Sequence, residues 1–177
     1  MDPTLAGVLI GAGAGILGGY ISGWQQARLE YKKWQRTRQD ETVKEINITV
    51  AELMKKMATT AQTISWFTWE ADYRPDRINK KSVDNYDLEM RSLFPEIDSA
   101  LIMVSALNNK AYERLSPLVL KIYDLDLEVS RATRMIIKTP DKAIKGIASH
   151  KTAAFQLKSE IMKSVANINN ESIKGKQ

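Results

Sequence analysis

The chain has 177 residues, a formal net charge of +5 and no cysteine. That length accommodates one domain of ordinary size with a short appendage, and the missing cysteine excludes disulfides, thiolate metal sites and a cysteine nucleophile. The positive charge does not describe a polyanion-binding face, because residues 25–38 concentrate Arg28, Lys32, Lys33, Arg36 and Arg38 against Glu30 alone and leave the rest near neutral.

Residues 5–24 read LAGVLIGAGAGILGGYISGW, a run without a formal charge. As a helix it would span roughly 30 Å, the thickness of a bilayer's hydrocarbon core. The preceding Met1-Asp2-Pro3-Thr4 lacks the basic start of a cleaved signal peptide, so the expectation is an uncleaved membrane anchor over residues 1–24. Basic residues follow the run and none precedes it. The positive-inside rule then places the N-terminus outside the cell membrane and the C-terminal domain in the cytoplasm. Residues 25–41 read as a basic juxtamembrane helical stalk. Its Arg28, Lys32, Lys33, Arg36 and Arg38 are candidates for lipid headgroup contact, and Trp24, Tyr31 and Trp34 suit the inner interface.

Within the anchor Gly7, Gly11, Gly15, Gly19 and Gly23 recur every fourth residue. On a helix they form one stripe without side chains, along which two backbones can approach and gain van der Waals contact. The seven Leu, Ile and Val residues of the run supply only about 2–4 kcal/mol on the insertion scale, so such a helix gains from partners. This row resembles the glycine-zipper motif of several families of oligomeric membrane channels and pore-forming toxins. The resemblance covers residues 7–23 and implies close-packed identical helices.

From residue 43 the apolar positions Val43, Ile46, Val50, Leu53, Met57, Thr60, Ile64 and Phe67 alternate steps of three and four, the spacing of a bundle seam. Thr42 and Glu45 can form a capping box, or the helix can run on unbroken from the membrane. Residues 71–81 (ADYRPDRINKK) read as a charged loop. Ser82 is a candidate cap for a helix to about Leu93, and Pro95 for the first turn of another through Ile97, Leu101, Val104 and Leu107. Ser116-Pro117 repeats that signature before Leu118, Ile122, Leu125, Val129, Ala132 and Ile136, and Thr139-Pro140 repeats it again. One last helix would bury Ile144, Ile147, Ala154, Ile161, Val165 and Ile168, ahead of a polar tail at residues 169–177. No window shows strand alternation with hairpin turns. The expected fold is all-α, a single transmembrane helix followed by an antiparallel bundle of four to five helices over residues 42–168.

Chemistry is sparse. His150 is the single histidine, and a lone imidazole reads first as structural. Five-helix bundles include the HEPN ribonucleases, but their arginine is missing here, where Ala143, Ile144 and Lys145 stand in its place. Asp124 and Glu128 share a helix face, while Asp126 lies about 200° from Asp124. A di-metal bundle needs paired Glu-x-x-His motifs that one histidine cannot provide. No phosphate loop or nucleophile elbow occurs. An enzyme is therefore not expected, nor a cofactor or a metal. Trp66, Trp69 and Tyr73, with Phe67 and beside Arg74 and Arg77, read as a cap on the core or as a partner surface.

The function expected from these readings is a homo-oligomeric single-pass membrane protein, assembled through the glycine stripe and acting as a pore-forming or membrane-perturbing effector. Its partners would be membrane lipids and itself, with nucleic acid not expected. In architecture, without a shared residue motif, an anchor joined to helices is similar to CRISPR-associated accessory membrane proteins and other small antiviral defence effectors. The alternative is a membrane-tethered helical adaptor that binds a cytoplasmic protein.

Overall fold

A computed structural model describes the backbone of residues 3–174 and the side chains of residues 28–164. All regular structure among them is helical: α1 (Pro3–Tyr73), a single 3-10 turn (Pro75–Arg77), α2 (Lys80–Leu107), α3 (Asn109–Thr133), α4 (Pro140–Ser149) and α5 (Lys151–Lys174). Two compact units divide the chain, residues 1–45 and 46–177.

In the first unit the side chains of residues 28–45 are all exposed, including the five basic residues. Tyr31 stacks on Trp34 at 6.0 Å, and the Arg38 guanidinium lies 4.5 Å from the Trp34 ring on the next turn. Thr42 forms no capping box. Its hydroxyl donates back to the Arg38 carbonyl at 2.9 Å, as a mid-helix threonine does, and the helix continues. Val43, the first apolar position of the expected seam, is 48% exposed.

The second unit is an antiparallel helical bundle. Antiparallel order follows from paired residues whose numbers rise on one helix as they fall on the next. Between α1 and α2, Lys56 pairs with Glu96, Thr63 with Glu89 and Phe67 with Tyr86. Across α2 and α3, Tyr86 bonds Asp126 and Phe94 meets Tyr123 edge-on at 4.7 Å. Lys121 and Glu160 join α3 to α5 at 2.7 Å, and Lys151 at the start of α5 bonds Asp72 at the end of α1. The short α4 packs against α3 and α5.

Most of the core is the seam the spacing predicts, although Ile46, Leu101, Leu107 and Ile144 are only half-buried. Val50, Leu53, Met57, Thr60, Ile64 and Phe67 of α1 are buried, with Ile97 and Val104 of α2, Leu118, Ile122, Leu125, Val129 and Ala132 of α3, then Ile147, Ala154 and Ile161. Val165 and Ile168 lie outside the described side chains. Buried hydroxyls on α1 are satisfied locally: Thr60, Ser65 and Thr68 each donate to the carbonyl four residues back. No buried side-chain polar atom among the described residues lacks a partner.

Several boundaries differ from the sequence reading. Asn79, not Ser82, caps α2: its side chain accepts from the Lys81 and Ser82 amides, and Ser82 Oγ accepts from the Asn79 amide at 2.9 Å, a reciprocal capping box. Pro95 and Pro117 sit inside α2 and α3 instead of opening new helices. Both are exposed, as are Arg91 and Glu113 four residues back, whose carbonyls they leave without an amide, so water can bond these in place of the missing donor. Asn108 caps α3, accepting from the Ala111 amide at 3.1 Å. The last helix is two helices, separated at His150. Before it, Gly146 sets α4 close against α3, where an added Cβ would lie 3.0 Å from Ala132 Cβ.

Candidate partner surface

Helical spacing brings Trp66, Trp69 and Tyr73 into one row at the end of α1, since steps of three and four lie on one face. The rings stack in sequence, Trp66 on Trp69 at 4.9 Å and Trp69 on Tyr73 at 5.2 Å. Trp66 and Tyr73 are 51% and 61% exposed. Phe67 points the other way, into the core, where it stacks on Tyr86 at 4.3 Å. The aromatic group thus divides: Phe67 seals the core and the other three rings stand outside it.

Cations flank the row. Arg74 Cζ lies 5.5 Å from the Trp69 centroid and Lys151 Nζ 4.6 Å from the Tyr73 centroid. Lys151 also donates to Asp72, a bond that raises its pKa and holds the ammonium charged. Arg77 lies 3.8 Å from Glu70. Beside Trp66, between α1 and α2, is a hollow of about 360 Å³ bordered by Phe67, Glu70, Asn85, Tyr86 and Glu89 among others. A second hollow, of about 290 Å³, is lined by Asp87, Arg91, Asp126 and Arg134 among others.

The floor between these hollows is a buried polar pair. Tyr86, 4% exposed, donates its hydroxyl to Asp126 Oδ1 at 2.7 Å. Burial and the neighbouring Asp126 carboxylate push the phenol's pKa far above its ordinary value. Burial also raises the Asp126 carboxyl; the Tyr86 bond opposes that shift, and Asp87 adds to it. Asp124 and Glu128 are exposed, but Asp126 is not part of that solvated face. The signal was present in the sequence, because Asp126 falls beside the inward Ile122, Leu125 and Val129. Its tyrosine partner, on another helix, was not legible there.

Among the described residues no three His, Asp or Glu side chains are placed to hold a metal ion. His150 is the partly exposed residue between α4 and α5, its amide bonding back to the Ile147 carbonyl at 3.2 Å. Gly7, Gly11, Gly15, Gly19 and Gly23 lie outside the residues with described side chains. Among the described residues no helix is long and apolar enough to cross a membrane, and the expected anchor over residues 5–24 falls outside those side chains. Arg28, Lys32, Lys33, Arg36 and Arg38 are exposed along one stretch of α1.

No protein-family model matches the chain, and neither a curated protein nor a solved structure matches it.

Proposed function

We propose that the protein is a single-pass membrane protein that assembles with copies of itself through its N-terminal helix. The observation that carries this reading is the row Gly7, Gly11, Gly15, Gly19 and Gly23 inside an uncharged run of helical length. A bare stripe of that phase suits close backbone contact in lipid, where no hydrophobic effect drives helices together. The exposed basic residues from Arg28 to Arg38, interleaved with Tyr31 and Trp34, suit an anionic headgroup layer next to the span. On this reading the bundle lies in the cytoplasm and the assembly acts as an effector that perturbs the membrane. Any lumen between such helices would be narrow and apolar, closer to a hydrophobic gate than to a selective channel.

The test is subunit number in a maltoside detergent, by light scattering, for wild type and for Gly11→Leu/Gly15→Leu/Gly19→Leu. A defined oligomer that the triple substitution dissociates supports assembly through the stripe. An intact mutant oligomer places assembly in the bundle instead, and a monomeric wild type removes the proposal.

The row Trp66–Trp69–Tyr73, exposed at both ends and half-buried at Trp69, favours a second reading, a membrane-tethered adaptor whose bundle presents this face to another protein. Large aromatic rings beside Arg74 and Arg77 have the composition of interface hot spots. A monomeric wild type that keeps a folded bundle would leave this reading standing.

A further inference from the structure

The aromatic row is incomplete in one respect. Trp69 carries Arg74 at 5.5 Å and Tyr73 carries Lys151 at 4.6 Å, whereas no described side chain lays a cation on Trp66. Trp66 ends the row at the hollow of about 360 Å³ between α1 and α2, which is within the range of small-molecule sites.

The wall chemistry of this hollow is one-sided. Glu70 and Glu89 are its charged lining groups, and no Lys, Arg or His borders it. Glu89 is oriented by the Thr63 hydroxyl, which donates to its Oε1 at 2.9 Å. Arg77 approaches Glu70 only to 3.8 Å and is itself 57% exposed, so Glu70 is screened on one side and keeps acceptor capacity on the other. Phe67 and Tyr86, 6% and 4% exposed, supply an apolar floor.

Each class of ligand meets these walls differently. An anion would face two carboxylates. A neutral apolar molecule would cover those carboxylates and strip their water without return. A small metal ion would gain nothing from the indole, and no metal-holding group is present among the described residues. A weakly hydrated organic cation satisfies both parts, because the face of an indole attracts a cation within about 6 Å and nearby carboxylates add to the potential.

We infer that the hollow beside Trp66 binds a small quaternary ammonium ion, held between the Trp66 indole and the carboxylates of Glu70 and Glu89. The site lies in the bundle and does not depend on assembly through the glycine row.

The experiment uses the full chain in a maltoside detergent, which carries no ammonium head. Choline is titrated against its neutral carbon isostere, 3,3-dimethylbutan-1-ol. The readouts are the indole N–H signals of the tryptophans and saturation transfer to the ligand methyl groups. Choline should shift the Trp66 signal saturably with a Kd on the order of 1 mM, and the isostere should bind at least about tenfold more weakly. Trp66→Leu should abolish the saturation transfer. Glu89→Gln, a change on an exposed position, should weaken binding about threefold and reduce its salt dependence. Equal binding of the two probes would overturn the inference, as would the absence of a saturable shift in wild type. So would choline binding unchanged by Glu89→Gln and by Trp66→Leu in variants whose circular dichroism matches wild type.

Discussion

Replacing Tyr86 by phenylalanine keeps the ring that stacks on Phe67 at 4.3 Å and deletes only the hydroxyl that donates to Asp126. The lost bond is to a carboxylate, a class worth about 1.5–3 kcal/mol, so a cost near 2 kcal/mol is expected at pH 7. The pH dependence follows from Asp126, whose carboxyl is raised by burial and by Asp87, with Tyr86 the influence that lowers it. A carboxyl raised in the folded state contributes stability that is fully present below its unfolded value of about 3.9 and is lost as pH rises through the folded value. Deleting the hydroxyl raises the folded value further. The penalty of Tyr86→Phe should therefore be largest above that value. It should shrink to about 1 kcal/mol, the worth of a neutral bond, once Asp126 is protonated. The assay is urea unfolding of the full chain in maltoside, followed by tryptophan fluorescence at a series of pH values. Taking the difference from wild type cancels the titration of other carboxylates. In an Asp126→Asn background the same substitution should cost a constant amount across the range. A penalty that is flat with pH in the presence of Asp126, or that grows towards acid, would refute the reasoning.

Pro117→Ala should stabilise the fold by about 1–3 kcal/mol, because it returns an amide to an exposed position inside α3; an unchanged or lowered urea midpoint would mean that the proline serves local packing. Gly146→Ala pits a helix gain of about 1 kcal/mol against a 3.0 Å approach to Ala132 Cβ, an atom fixed to its backbone. Overpacking of that kind costs about 1–3 kcal/mol, so a net loss near 1 kcal/mol is expected, and a raised midpoint would show that α4 can move away from α3.

The site divides between what was legible locally and what was not. Trp66, Trp69 and Tyr73 could be placed on one face from spacing alone, and their exclusion from a single inward stripe explains why only Phe67 of that group is core. Lys151 and Glu89, which complete the surroundings of the row, come from α5 and α2. Nothing in the local sequence of either residue marks it as a neighbour of α1. Helical spacing set Asp126 apart from Asp124 and Glu128, but its partner Tyr86 came only with the docking of α3 against α2.

By itself the sequence determined the helical class, most inward residues of α1 and α3 but only Ile97 and Val104 of α2, and the positions of the uncharged run, the glycine row and the basic stretch. All of these follow from periodicity and local charge, which neighbouring residues carry between them. Tertiary structure decided where helices stop. Pro95 and Pro117 carry the signature of a helix start, yet they remain inside α2 and α3 because each lies on the exposed side, where a freed carbonyl can be hydrated. Conversely, residues 149–151 contain no glycine or proline, and the helix breaks there. On one side of the break α4 is set against α3 at Gly146 and Ala132; on the other, Ala154, Leu157 and Ile161 turn α5 into the core. Burial on two differently directed faces outweighs the propensity of the few residues between them, a balance that a local pattern does not contain.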